Sequence, residues 1–259
     1  MSGMTETPAL VAHGLCRNFQ AVKAVEDMSL VLNRGELLGL IGPNGAGKTT
    51  MFNMLAGSMR PDAGRIKLGR HDVTAEGAEQ RLARGLGRTF QIPRPFPQMT
   101  VLENVLCGAR HQSGERVLGA FFRHGQSRRD EARAIVKARY LIDFLLLSHL
   151  IDQPARVLSG GQRKLLELAR ILMADPQVIL LDEPAAGVNP SLLEQIMERI
   201  AMLNDEGVSI LLIEHNMDMV ARMCSRVVVM ALGRELAQGA PDSVIRDPQV
   251  VRAYLGDAA

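Results

Sequence analysis

Two stretches of this chain are built to meet an anion. The run Gly42-Pro43-Asn44-Gly45-Ala46-Gly47-Lys48-Thr49, continued by Thr50, follows the apolar segment Glu36 to Ile41 and opens a helical pattern from Lys48 to Leu55. Glycines at such a junction let the backbone wrap phosphate oxygens, a lysine reaches the β- and γ-phosphates, and the hydroxyl beside it holds Mg²⁺. Lys48 and Thr49 stand at those two positions, and Thr50 can add a contact to the α-phosphate. The second stretch, Ser159-Gly160-Gly161-Gln162, opens a helical pattern running to Met173. A serine N-cap followed by glycines leaves bare backbone N–H groups pointing outward, a place for negative charge. Two phosphate-type sites far apart in one chain need a common reason.

Acids and an imidazole end two further apolar runs. Val178 to Leu181 leads into Asp182-Glu183, and Ile210 to Ile213 into Glu214-His215. In open α/β sheets, ligands lie at the carboxyl ends of strands. There Asp182 can hold Mg²⁺, Glu183 can orient and deprotonate a water, and His215 can hydrogen-bond a γ-phosphate. Each also has a plainer reading, as a helix cap or a structural histidine, and the phosphate loop in the same chain favours the chemical one. Phe19, before a loop expected over Gln20 to Ala24, is either core or a platform on which a flat base stacks. Gln91, after Arg88-Thr89-Phe90, is by itself a surface glutamine.

The elements that must position these residues read as follows. Ala9 to Arg17, Asp27 to Leu32, Glu36 to Ile41 and Arg65 to Leu68 are strands, with a turn over Pro61-Asp62-Ala63-Gly64. Prolines 93, 95 and 97 then break the chain, and helical periodicities follow over Val101 to Ala109, Gln126 to Leu147 and Ser159 to Met173. Val178 to Leu181 and Ser209 to Ile213 are short continuous apolar runs, as in parallel strands buried on both faces, with the amphipathic helix Ser191 to Asn204 between them. Arg226 to Met230 is a further strand. The order predicts an α/β parallel core interrupted by a helical insertion.

Composition narrows the function classes. The chain has 259 residues, 47% of them hydrophobic, enough for one large domain or a domain with a subdomain. A net charge of +2 makes no case for nucleic acid. Cys16, Cys107 and Cys224 form no CxxC pair and read as reduced core thiols of a cytosolic protein. Met1 to Ala12 has no basic region followed by an apolar run, and the longest apolar candidate, Ala134 to Ile151, is broken by Lys137, Arg139, Asp143 and His149. Any membrane role is therefore expected to come through partners.

Taken together, these motifs resemble the ABC-type ATPases, the nucleotide-binding subunits of ABC transporters, over nearly the whole chain. The resemblance implies a P-loop NTPase (RecA-like) core with an antiparallel β subdomain and an α-helical insertion subdomain. It implies a single domain over 8–259, with core and β subdomain at about 8–91 and 166–259 and the helical subdomain at about 92–165. It identifies Gln91 with the Q-loop glutamine, a Mg²⁺ contact and γ-phosphate sensor, and Leu158 to Gln162 with the family signature. Asp182 is then the metal-binding acid, Glu183 the catalytic glutamate, His215 the switch histidine and Phe19 the adenine platform. Arg88-Thr89-Phe90-Gln91, Thr100 to Val105, Glu183 to Pro190 and the ending Arg252-Ala253-Tyr254-Leu255-Gly256 resemble the ATPases of branched-chain amino acid and urea or amide importers, and lipopolysaccharide-exporting relatives share some of this. Many ABC proteins carry Asp where Asn189 stands.

The resemblance also supplies the common reason for two anion sites. ATP with Mg²⁺ would lie between the loop Gly42 to Thr50 of one copy and Ser159, Gly160, Gly161 and Gln162 of a second ATPase subunit, the same chain or a different one. Transmembrane permease subunits would hold the pair at the cytoplasmic face of the cell membrane, and no nucleic acid is expected. A soluble ABC ATPase of DNA repair or translation would bring a long coiled coil or a second ATPase unit, and a GTPase an NKxD motif. None of these is in the sequence.

Arg110 to Arg139 carries eight Lys/Arg against three Asp/Glu, with Leu118, Phe121 and Phe122 in its middle. It reads either as a solvated helix face or as a contact with a transmembrane subunit or anionic lipid. Removing Phe121 and Phe122 separates the two: the contact reading expects weakened assembly with unchanged basal ATPase, and normal assembly supports the solvated face.

Overall fold

The computed structural model describes residues 7–89, 93–109 and 124–255. In chain order the elements are β1 (Leu10–Phe19), β2 (Val22–Leu32), β3 (Leu37–Ile41), α1 (Lys48–Leu55), β4 (Ala63–Leu68), β5 (His71–Asp72), α2 (Ala78–Ala83) and β6 (Leu86–Arg88). Then come α3 (Val101–Leu106), α4 (His124–Phe144), α5 (Gly160–Leu172), β7 (Val178–Asp182), α6 (Pro190–Asp205) and β8 (Ser209–Ile213). The last are α7 (Met217–Met223), β9 (Arg226–Ala231), β10 (Arg234–Gly239), α8 (Pro241–Ile245) and α9 (Pro248–Leu255). The chain forms two compact units, one of Met1–Arg88, Pro176–Ala185 and Ile200–Ala259, the other of Thr89–Asp175 and Ala186–Arg199.

The first unit holds two sheets. One is antiparallel, in the order β2-β1-β4-β5. The loop expected over Gln20 to Ala24 is tighter than the sequence predicts: Phe19 pairs with Val22, so only Gln20 and Ala21 turn, and Gln20 takes the positive φ of 53° that so short a connection requires. The other sheet runs β10-β9-β3-β8-β7-β6, parallel except for the edge strand β10. Every residue of β3, β7 and β8 is buried, which is why these strands read as unbroken apolar runs. β3 lies between β8 and β9, so its end delivers the chain to the glycine loop beside the ends of the acid-bearing strands.

Behind the loop, helix α1 is anchored by a residue with no sequence signature. Arg81, on α2, is fully buried and donates to the carbonyls of Met54 and Leu55 at 2.6 Å, Val73 at 2.7 Å and Glu76 at 3.1 Å. The first two belong to the last turn of α1, where carbonyls outnumber helical donors and the helix dipole is negative. Burial pulls the Arg81 pKa down to about 10, against the opposing charge of Glu76, so the group stays cationic at neutral pH. The expectation of three core thiols holds only for Cys224, whose burial, with Glu214 nearby, pushes its thiol up to about 12. Cys107 is exposed because it follows the last turn of α3.

The second unit is helical in its described residues. Thr100 caps α3 in a reciprocal pair with Glu103. Asn104, fully buried, donates to the carbonyls of Phe96, Met99 and Thr100 and accepts from Phe96 N–H at 2.8 Å. One amide thus orders the proline-broken segment before α3 without any regular structure there. The expected contacts Phe121 and Phe122 lie outside the described residues. Among the described residues no helix is long and apolar enough to cross a membrane.

Replacing Arg81 by Met keeps much of its length but leaves the Met54, Leu55 and Val73 carbonyls facing an apolar group. A stability loss of about 3 kcal/mol is expected. It would be read as a lower urea midpoint, and an unchanged midpoint would show that α1 is held by its other contacts.

Candidate functional site

The loop Gly42 to Gly47 is fitted against backbone, and two of its glycines are required by that fit. At Gly42 (φ 147°) a Cβ would overlap the carbonyl of Met230, and at Gly47 (φ 98°) it would overlap the carbonyl of Ala24. The loop is also tied to the β9–β10 turn, since Gly233 N–H donates to Ala46 O at 3.0 Å and Glu26 N–H to Gly233 O at 2.8 Å. Pro43 is half-buried, Ala46 is buried, and Asn44 and Gly45 are exposed at the tip. Lys48 is buried, and its Nζ donates to Gly42 O at 2.7 Å and Pro43 O at 2.9 Å. Burial lowers its pKa, opposed by the charges of Glu183 and Asp182, so one ammonium faces both acids. Thr49 is exposed at the first turn of α1 and Thr50 half-buried.

The acids and the histidine meet at the adjoining strand ends. Asp182 pairs with Ile213 in the β7–β8 register, which puts Glu183 level with Glu214. Glu183 has φ 49°, a left-handed conformation that costs a non-glycine residue roughly 1–2 kcal/mol. It is held there by its N–H to Ile213 O at 2.9 Å. Its Oε1 lies 3.1 Å from His215 Nε2. Beneath them Glu214, only 2% exposed, accepts from Ala185 N–H at 2.7 Å, His215 N–H at 3.0 Å and Asn216 N–H at 3.3 Å. A single buried carboxylate thus ties the turn after β7 to the turn after β8 and sets where Glu183 and His215 stand. Sequence reading passed over Glu214 because only its buried bonds distinguish it from a surface acid.

Asp182 is also buried, and Arg88 Nη2 approaches its Oδ2 at 3.3 Å. Arg88 is itself placed by Asn53 Oδ1 at 2.6 Å and by the Phe52 ring, 5.3 Å away, both on α1. Among the described residues no cluster of three metal-ligating side chains occurs. The donor set of one carboxylate and one hydroxyl, Asp182 and Thr49, fits Mg²⁺, which is held by few protein oxygens plus phosphates and water, and does not fit a metal needing a full protein cage. Gln91, the other expected metal contact, lies outside the described residues. Phe19 is 42% exposed at the β1–β2 turn, with the Arg17 guanidinium 5.2 Å from its ring centre.

In the second unit, Ser159 caps α5 as the sequence predicts. Its Oγ accepts from Gln162 N–H at 3.3 Å, and Gln162 Oε1 accepts from Ser159 N–H at 2.9 Å. This reciprocal box turns part of Gln162 back on the helix, and Gly160 and Gly161 carry the N–H groups ahead of it. A Cβ on Gly161 would meet the end of the Leu192 side chain, which would have to move aside. Asn189 is the N-cap of the next helix, its Oδ1 accepting from Leu192 N–H at 2.9 Å.

A phosphate loop between a central parallel strand and a helix, with acids at the neighbouring strand end, defines a nucleotide-hydrolysing α/β protein. Comparison with known proteins narrows this. A family model described as ABC transporter matches residues 25–186, and a second, described as branched-chain amino acid ATP-binding cassette transporter, matches residues 234–259. The high-affinity branched-chain amino acid transport ATP-binding protein LivG of Escherichia coli K12 is 40% identical over 97% of this chain and 99% of its own. The probable LivG of Archaeoglobus fulgidus is 39% identical over 95% of each. Among solved structures, a nucleotide-free ATP-binding cassette from an ABC transporter superposes with a TM-score of 0.84 at 35% identity, covering 96% of this chain and all of the other. The ADP conformation of an ATP-binding cassette gives 0.83 at 35%. The chain belongs to the ABC transporter family, as an ATP-binding ATPase subunit.

If Glu183 is the general base, Glu183→Gln removes the base while keeping size and hydrogen bonding. Phosphate release should fall by roughly 10² or more, with ATP binding by calorimetry retained. Hydrolysis at the parent rate would move the role to another group.

Proposed function

We propose that this subunit drives import of branched-chain amino acids, or a similar small polar solute, by hydrolysing ATP in sites shared between two ATPase subunits bound to transmembrane permeases. The observation that carries the transport reading is the match of the C-terminal segment, residues 234–259, to the branched-chain amino acid cassette model, together with relatives of that name over nearly the full chain.

The site's own chemistry supports the catalytic assignment. Glu183, poised 3.1 Å from His215, takes the proton of the attacking water, and Lys48 and His215 stabilise charge on the transferring phosphoryl group. Thr49 and Asp182, with Gln91, would hold Mg²⁺, which neutralises charge on the phosphates when bound. The backbone donors of the loop Gly42 to Thr50 cradle the phosphates, and Phe19 stacks on the base. The signature helix of a second subunit, through Ser159, Gly160, Gly161 and Gln162, closes the γ-phosphate side, which accounts for an anion-binding helix start in each unit of the chain. The subunit would sit at the cytoplasmic face of the cell membrane through its permease partners alone.

The complex with its permeases in liposomes tests both parts. Leucine, presented on the inward-transport side, should stimulate ATP hydrolysis, and an unstimulated rate would exclude this solute class. Ser159→Arg should abolish hydrolysis while an isolated copy still binds ATP; parent turnover in that variant would refute the shared site.

A further inference from the structure

Arg88 reaches both elements that carry the expected metal donors, Thr49 on α1 and Asp182 on β7. It is the last residue of β6, where it pairs with Leu180 of β7. Opposite residues of a parallel pair share a face, and so do residues two apart on one strand. Arg88, Leu180 and Asp182 therefore project from the same side of the sheet. Helix α1 lies on that side, with the Phe52 ring centre 5.3 Å from the Arg88 guanidinium. The two ends of the guanidinium then go to different elements. Nη1 donates to Asn53 Oδ1 at 2.6 Å, and Nη2 donates to Asp182 Oδ2 at 3.3 Å. Both partners of this ion pair are nearly out of solvent, the Arg88 side chain 11% and the Asp182 side chain 6% exposed. Asn53 follows Thr49 by four residues on α1, so the two share a helix face one turn apart. All of these groups belong to the first unit.

We propose that Arg88 is a positioning residue for the divalent cation: its planar fork spans from α1 to the end of β7 and so fixes the separation of the Thr49 hydroxyl and the Asp182 carboxylate. The proposal rests on the reading of those two groups as Mg²⁺ donors. A cation that takes few protein oxygens and demands near-octahedral geometry is sensitive to how those few are spaced. Lysine at this position would keep the charge but would not reproduce the rigid, two-ended grip of a guanidinium.

Calorimetry of ADP binding to the full chain, in Mg²⁺ and in EDTA, separates the metal's share of the affinity. In Arg88→Lys, which leaves the local charge unchanged, Mg·ADP affinity should fall roughly ten-fold, the usual cost of losing a partner of a metal-binding carboxylate, while affinity in EDTA stays at the parent value. Asn53→Ala releases the other end of the fork and should act in the same direction, and the double variant should be no worse than Arg88→Lys alone. Parent Mg·ADP affinity in either variant, losses that add in the double variant, or an equal loss in EDTA, overturns the proposal. Mg²⁺ that fails to tighten ADP binding to the parent chain, or that tightens it equally in Asp182→Asn, would instead refute the metal-site reading beneath it.

Discussion

The nucleotide loop depends on a steric constraint between backbones. Two carbonyl oxygens, of Ala24 on β2 and Met230 on β9, lie where side chains at Gly47 and Gly42 would have to be. The loop's own carbonyls are drawn inward, to Gly233 N–H and to the Lys48 ammonium, which leaves its tip exposed. An anion-binding loop has to hold its N–H groups in place before the anion arrives, since ordering them on binding would consume affinity. Here the ordering is provided by strands of both sheets in the first unit. The twin glycines are thus needed for close approach as much as for flexibility, and their positions follow from where β2 and β9 run.

A second constraint fixes the glutamate and histidine at the strand ends. Glu183 is held in a left-handed conformation that only its surroundings make tenable, and the surroundings are identifiable: Ile213 O accepts from its N–H, and Glu214 accepts from Ala185 and from His215. Bonds from backbone N–H to an ionised carboxylate are strong, and a buried carboxylate with three of them is costly to disturb. Glu214 therefore serves as the rigid joint between two strand ends, and the 3.1 Å approach of Glu183 to His215 is a consequence of it. Backbone strain of this kind persists where the surroundings over-determine it, and it clusters at functional sites.

What was legible in the sequence was local. β3, β7 and β8 announced themselves as apolar runs because both faces are covered, and the loop announced itself because its glycines are sterically obligatory. Elements stabilised from elsewhere were silent. β6 is three residues long, too short for any period, and exists because Leu86 to Arg88 pair with Val178 to Leu180. β10 has no buried residue, and α7 to α9 mix exposed and buried positions over few residues. Arg81 looks like any helical arginine until the carbonyls at the end of α1 are set around it.

The start of α5 shows how a short motif becomes aimed. Ser159 and Gln162 cap each other, which is a local matter of four residues. Gly161 lies against the end of the Leu192 side chain, which a Cβ there would displace, and Gly187 O is 3.9 Å from where a Cβ on Gly160 would lie. Leu192 is in turn held by its N–H to Asn189 Oδ1. An aspartate at 189 would make the same cap through the same oxygen, so asparagine alters the charge and leaves the hydrogen bond intact. This helix start is therefore set by packing and capping inside its own unit, and the neutral residue at 189 caps the next helix without adding negative charge.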